Sequence, residues 1–356
     1  MTELDDPQIY RKYDPSGMLA HIHELPEQCR RAWRDAINFN LPEGYSGFDK
    51  VVILGMGGSA IGGDFVQTLT RQENDKVPVL VHRDYDLPPS IDAGTLVIAS
   101  SYSGNTEETI AASTESLKTP SKKLVITTGG RLKSLAEKNA IPILSYHYRS
   151  APRAALGYSF ILMLGIVHKV GLISDKSKQV DRMAGVMEEL LAGIGEKVPS
   201  SVNPAKQLAG KLYGRLAVIY GGGILSQVAR RWKTQLNENS KAWAFYEVFP
   251  EVNHNGVVGY EFPQAITRGA FVVFLQAKGL PPPILSRYKL TAELLDRAGI
   301  AHEFVEARGE DTLSQMMSLV LLGDYVSYYL AMLYHVDPSP VSTIDYLKKG
   351  LADARK

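Results

Sequence analysis

From residue 50 onward, short apolar runs alternate with polar stretches of helical character. Val51-Val52-Ile53-Leu54 and Leu96-Val97-Ile98-Ala99 are unbroken and rich in β-branched residues, the mark of strands buried on both faces. Strands are predicted at 51–55, 78–82, 95–100, 122–127 and 142–145, with helices at 61–72, 105–118 and 131–138. Such alternation calls for a parallel sheet covered on both faces. A long helical region follows, over 153–172 and 176–196. The pattern then restarts. Leu216-Ala217-Val218-Ile219-Tyr220 reads as a strand, Gly221-Gly222-Gly223 as a turn and Ile224–Asn237 as a helix. Further strands are expected at 269–275 and 302–306, and helices at 283–298 and 311–334. A last helix over 340–353 follows the breaker Asp337-Pro338-Ser339-Pro340.

The chain thus reads as α/β, with two similar units, each a doubly wound parallel sheet flanked by helices. Its 356 residues suit two domains. The expected organisation is a helical N-terminal segment over 1–45, a first domain over 46–173, a helical linker over 174–204 and a second domain over 205–356 with the C-terminal helix.

Two strand–helix junctions carry the first chemical signal. Gly55-Met56-Gly57-Gly58-Ser59 follows the first strand, and Ser101-Tyr102-Ser103-Gly104-Asn105-Thr106 follows the third. Glycines let a backbone approach a ligand closely, and the free N–H groups of a helix start favour an anion. Gly57, Gly58, Ser59, Ser101, Ser103 and Thr106 therefore suggest a phosphate cradle built of neutral donors. The dinucleotide fingerprint fails at Ala60, where its last glycine belongs, and no Gly-Lys-Ser/Thr ending marks a P-loop. The second unit's loop, Gly-Gly-Gly-Ile-Leu-Ser, has lost the serines, so one unit is expected to hold phosphate while the other lends structure and side chains.

A net charge of +1 steers neither nucleic acid nor membrane lipid. The lone Cys29 excludes an internal disulfide and any cysteine metal cluster, and points to a reducing compartment. The acidic start MTELDDPQIY is unlike a signal peptide, so the expected location is cytoplasmic. The apolar stretches Leu156–Ile173 and Met316–Tyr334 are interrupted by His168-Lys169 and Asp324, and read as core or interface helices.

Candidate acid–base residues crowd the second unit, in Asn237-Glu238-Asn239-Ser240-Lys241 and Pro250-Glu251-Val252-Asn253-His254-Asn255. Glu238 ends a predicted helix between two asparagines able to hold its carboxylate; apolar neighbours raise a carboxyl pKa and suit it to act as a base. Glu251 competes for that role, and a plain helix-end carboxylate is the bland reading. His254 is a proton carrier or a loop histidine. Arg153, at a helix start after Pro152, faces a developing anion or is a surface ion-pair residue. Lys348 reads as a solvated helix residue. His21 and His23 look like packing or surface residues, and no metal-ligand spacing is visible.

These motifs, with Pro-Arg-Ala-Ala-Leu-Gly-Tyr at 152–158, resemble the bifunctional phosphoglucose/phosphomannose isomerases of the sugar isomerase (SIS) superfamily over about residues 45–355. The resemblance implies two SIS domains of flavodoxin-like, doubly wound type. It implies interconversion of glucose 6-phosphate or mannose 6-phosphate with fructose 6-phosphate through a cis-enediol, a step of carbohydrate metabolism. It implies no metal, no cofactor and a homodimer. Ser59, Ser101, Ser103 and Thr106 resemble the phosphate ligands, with help from Gly57 and Gly58. Glu238 resembles the base, and His254 the ring-opening residue, supplied by the partner subunit. Arg153 resembles the enediolate-stabilising arginine, and Lys348 (or its neighbour Lys349) the lysine that assists ring opening. An amino-sugar phosphate isomerase and a non-catalytic sugar-phosphate sensor are the alternatives.

Overall fold

The computed structural model describes residues 2–74 and 76–354. Nine strands form two sheets among these residues: β1 Lys50–Leu54, β2 Val79–His82, β3 Thr95–Ser101, β4 Lys122–Thr127, β5 Ile143–Ser145, β6 Leu216–Gly222, β7 Ala244–Phe249, β8 Ala270–Gln276 and β9 Ala301–Glu306. The first sheet runs β2-β1-β3-β4-β5 and the second β7-β6-β8-β9, with every pairing parallel. Numbered within each unit, both orders begin 2-1-3-4, so the restart heard in the sequence is a true repeat of topology.

β3 is buried at all seven positions, as expected of a central strand in a parallel sheet covered by helices. On one face Val52, Leu54, Val97, Ala99 and Val125 pack with Ile110, Leu132 and Ala136 from the helices Glu107–Ser116 and Gly130–Lys138. Residues one position along point to the opposite face. There the helix Gly57–Glu73 lies against Ile53, and its Phe65 meets Phe160 edge-on, ring centres 5.4 Å apart. Both rings are fully buried, each contributing about 1.5–3 kcal/mol by removal from water.

Chain contacts divide the protein into one unit of residues 1–22, 190–306 and 319–356, and another of 23–189 and 307–318. The expected boundaries at 45, 173 and 204 follow runs of sequence; the contacts follow anchors. Residues 1–22 join the second sheet's unit because the buried Lys206 ammonium donates to Leu4 O at 2.7 Å and to Asp5 at 3.0 Å, and Tyr10 stacks on Tyr328. The start of the expected linker is fastened to the first sheet's unit, where Lys176 pairs with Glu73 and Trp33 donates to Ser177 Oγ at 3.0 Å.

β7 was absent from the sequence reading. It is an edge strand with Phe245 and Glu247 exposed, so its apolar run is broken as an edge strand's can be. The helix after β1 begins at Gly57, four residues before the predicted start. The helix Thr312–Leu333 is long and apolar enough to cross a membrane, but 94% of its apolar window is buried inside the protein.

Candidate active site

In the first sheet, β1 and β3 are neighbours, with Leu54 beside Ala99 at their carboxyl ends. The chain leaves β1 for β2 on one side and leaves β3 for β4 on the other. Ligands of open α/β sheets bind in the crevice at such a switch point. Both predicted phosphate loops emerge there. Met56, extended, precedes the first helical turn and its side chain caps nothing. Its carbonyl accepts from Ser59 N at 3.1 Å and Ala60 N at 3.3 Å. The N–H groups of Gly57 and Gly58 and the Ser59 hydroxyl have no hydrogen-bond partner among the described residues. They are the donors an anion needs at a helix start.

The second loop is closed on itself. The Ser101 and Thr106 hydroxyls lie 2.9 Å apart, and Ser103 Oγ accepts from Asn105 N at 3.2 Å. Thr106 sits at the N-cap of the helix Glu107–Ser116, yet its side chain makes no cap bond there; it faces Ser101 instead. Gly104, at φ +64°, turns the loop so tightly that a Cβ would lie 1.7 Å from the Gly129 carbonyl oxygen. Only glycine fits.

Arg153 belongs to the same neighbourhood. It sits in the 3-10 turn Pro152–Ala155 and is only 3% exposed, which removes the reading of a surface arginine. A Cβ on Gly58 would stand 3.2 Å from the Pro152 oxygen and 3.6 Å from Arg153 Cα, so the bare glycine lets the arginine turn rest on the helix start. The sequence reading passed over Tyr102. Its hydroxyl is shared with the Tyr148 and Ser150 carbonyls, at 2.6 and 2.9 Å, and accepts from Ser150 N at 2.9 Å.

The equivalent point of the second sheet, between β6 and β8, is filled. Leu280 and Pro281 pack on Gly223, and Ile284, Phe249 and Tyr288 pack on Gly222. Open helix-start donors are therefore present at this point in one unit, and apolar contacts stand there in the other.

Glu238 is the last residue of the helix Ser226–Glu238 and is half-buried. The expected clamp of two asparagines takes another form at Asn237, whose amide donates to Ala242 O at 2.9 Å. Lys241 closes the helix end with its ammonium on the Glu238 carbonyl at 2.6 Å. His254 is exposed, in the 3-10 turn Glu251–His254 after β7, and makes no hydrogen bond among the described residues. Its neighbour Asn253 anchors that turn, donating to Thr291 Oγ1 at 2.8 Å and accepting from Arg287 at 3.2 Å. Glu251 accepts from Asn255 at 2.8 Å within the same turn.

The fold does not bring Glu238 and His254 of one chain together. The helix Ser226–Glu238 returns from the carboxyl end of β6 to the start of β7, and His254 follows the far end of β7. Six extended residues separate the two levels by about 20 Å. Lys348 and Lys349 lie on the helix Ser342–Asp353, exposed and without a hydrogen bond or ion pair among the described residues. No group of three or more His, Cys, Asp or Glu among the described residues is placed to hold a metal ion.

Residues 201–351 match the family model described as the bacterial phospho-glucose isomerase C-terminal SIS domain. A bifunctional phosphoglucose/phosphomannose isomerase of Caldicellulosiruptor bescii is 41% identical over 339 residues, spanning 95% of this chain and all of that one. A protein of the same description from Aquifex aeolicus is 32% identical over 301 residues, 85% of this chain and 90% of its own. Among solved structures, the C-terminal domain of glucosamine-fructose-6-phosphate aminotransferase from Francisella tularensis superposes with a TM-score of 0.71 at 16% identity, covering 91% of this chain and 98% of that one, a likeness of fold. With loops, fold and nearly full-length identity in agreement, the chain belongs to the bifunctional phosphoglucose/phosphomannose isomerase family.

Proposed function

We propose that the protein interconverts glucose 6-phosphate, and mannose 6-phosphate, with fructose 6-phosphate. The observation that carries this reading is the set of unpartnered neutral donors at the β1/β3 switch point, Gly57 N, Gly58 N and Ser59 Oγ, beside the Ser101–Thr106 hydroxyls. They suit a phosphate, whose binding energy, remote from the reacting carbons, can be used to orient those carbons.

In this reading His254, assisted by Lys348, moves a proton from the C1 hydroxyl to the ring oxygen and opens the ring. Glu238 takes the proton from C2 while the C1 carbonyl oxygen gains one, leaving a cis-enediol. Glu238 then returns its proton to C1 as the O2 proton departs and C2 becomes the carbonyl. Arg153 stabilises the charge on the enediolate oxygens, the effect of a fixed cation aimed where charge develops. The sugar is oxidised at C2 and reduced at C1, so no external redox partner enters the balance.

The same reading makes the protein a cytoplasmic homodimer, with His254 supplied by the second subunit. Two observations support this: the length of β7 between Glu238 and His254, and the exposed apolar side chains at the start of β7 and after the His254 turn, Trp243, Phe245, Val258 and Phe262. A coupled assay with glucose 6-phosphate and mannose 6-phosphate tests the proposal. Turnover of either supports it, and turnover of neither by folded protein sinks it. Glu238→Gln is expected to bind sugar phosphate and not isomerise it.

A further inference from the structure

The helix that ends at Glu238 is fastened to the core helix Thr312–Leu333 at three successive levels. Trp232 Nε1 donates to Leu319 O at 2.7 Å. One turn further on, Asp324 accepts from Gln235 Nε2 at 2.8 Å and from Arg231 at 3.0 Å. At the next turn Asn239 donates to Ser327 Oγ at 3.0 Å and Ser240 to Ser327 O at 2.6 Å. Ser327 Oγ in turn donates to Asp324 O at 2.8 Å, which ties the last two levels together.

Glu238 therefore sits between Gln235 and Asn239, and each is bonded to one of two residues a single turn apart on the same buried helix. Asp324 is 5% exposed and Ser327 fully buried. A buried carboxylate and a buried hydroxyl are costly to place and hold their partners in fixed geometry once satisfied. Hydrogen bonds add directional constraints to the packing of the two helices, since each requires a particular partner at a particular angle. The polar bonds set the rotation of one helix on the other, and with it the direction in which the residue between Gln235 and Asn239 projects.

We propose that Asp324 and Ser327 are positioning residues for Glu238, holding the helix end so that its carboxylate meets the substrate carbons. The inference rests on Glu238 being the base. A displacement of about 1 Å at a reacting group is enough to cost up to about a hundredfold in rate. Since the bonds of Asp324 and Ser327 act on the helix that ends at Glu238, the loss belongs in kcat and leaves KM in place.

The test uses the full chain and fructose 6-phosphate, with Ser327→Ala, Asp324→Asn and Glu238→Gln assayed side by side and thermal unfolding followed by circular dichroism. The expected result is a folded Ser327→Ala with kcat lowered about tenfold or more and KM within about twofold of wild type. Asp324→Asn is expected to behave likewise or worse. A folded Ser327→Ala with unchanged kcat overturns the proposal, as does a loss shared equally by kcat and KM, or one that disappears when the assay temperature is lowered. If Asp324→Asn does not fold, Ser327→Ala alone decides. Glu238→Gln separates the two layers: if it is inactive while both positioning variants are normal, only this inference falls. If Glu238→Gln turns over normally, the base assignment falls and takes the inference with it.

Discussion

The Tyr102 hydroxyl lies 2.6 Å from the Tyr148 carbonyl and accepts from Ser150 N at 2.9 Å, so the loop bearing Ser101 and Ser103 is tied directly to the segment leading into Arg153. The candidate anion loop and the arginine segment share one anchor. Tyr102→Phe keeps the ring and removes the anchor. The expected outcome is kcat/KM lowered about tenfold in the coupled assay, with the circular dichroism spectrum unchanged. Wild-type kcat/KM in the variant shows that the two segments hold their places independently.

Ser101 and Thr106 face each other across 2.9 Å, each able to turn its hydroxyl to an incoming phosphate. Ser101→Ala removes one hydrogen bond to a charged group, which corresponds to a rise in KM of about tenfold. Inhibition by inorganic phosphate weakens by the same factor if the loop holds phosphate. Weakened turnover with unaltered phosphate inhibition places the ligand elsewhere.

β7, about 20 Å long, lies between the levels of Glu238 and His254 in one chain, so in the proposed homodimer their roles are separable by mixing. Glu238→Gln and His254→Ala are each expected to be inactive as homodimers. Unfolded together and refolded at equal amounts, half the dimers carry one intact site of two, so about a quarter of wild-type activity returns. No recovery means that each chain uses its own histidine. Glu251→Gln, tested in parallel, is expected to retain turnover, since its carboxylate serves the Asn255 contact.

Glu73 reports on the fastening of Ser174–Lys176. Burial works to raise its pKa, but the hydrogen bonds from Lys176 and from Ser174 N and Oγ outweigh it and hold the carboxyl below its ordinary value of 4.5. A depressed carboxylate adds stability that is present above the ordinary value and lost as pH falls through the depressed one. Glu73→Gln is therefore expected to destabilise by about 1 kcal/mol at pH 7, since Lys176 is buried but the carboxylate itself is exposed and screened by water. The gap from wild type closes in acid, below pH 4.5. A gap of the same size in acid and at neutrality shows that packing, and not charge, is at stake.

Buried parallel strands announce themselves because both faces are apolar, and Val51–Leu54 and Leu96–Ala99 were legible for that reason. β7 was not, because an edge strand with one face open carries Glu247 in its middle. The two loops at the switch point were legible because helix starts rich in glycine and serine follow the strands β1 and β3 directly in sequence. Arg153 needed the fold to separate a buried arginine from a surface one. Asp324 was visible as a charge inside an apolar stretch, but its partners Arg231 and Gln235 lie far off in sequence and nothing local names them. The level difference between Glu238 and His254 was hidden for the same reason: it depends on a strand the pattern did not reveal.

Leu280 on Gly223, with Ile284 and Tyr288 on Gly222, packs the glycine turn at the second sheet's switch point with side chains. The proposed function thus gives the two halves unequal labour despite their common topology. Titration with a sugar phosphate should saturate at one equivalent per chain. Damage to the first crevice should surface as poor occupancy, and damage to the second as heat sensitivity in a protein that still holds its ligand. Two halves of one topology thus differ in what stands at the switch point, open helix-start donors in one and apolar packing in the other.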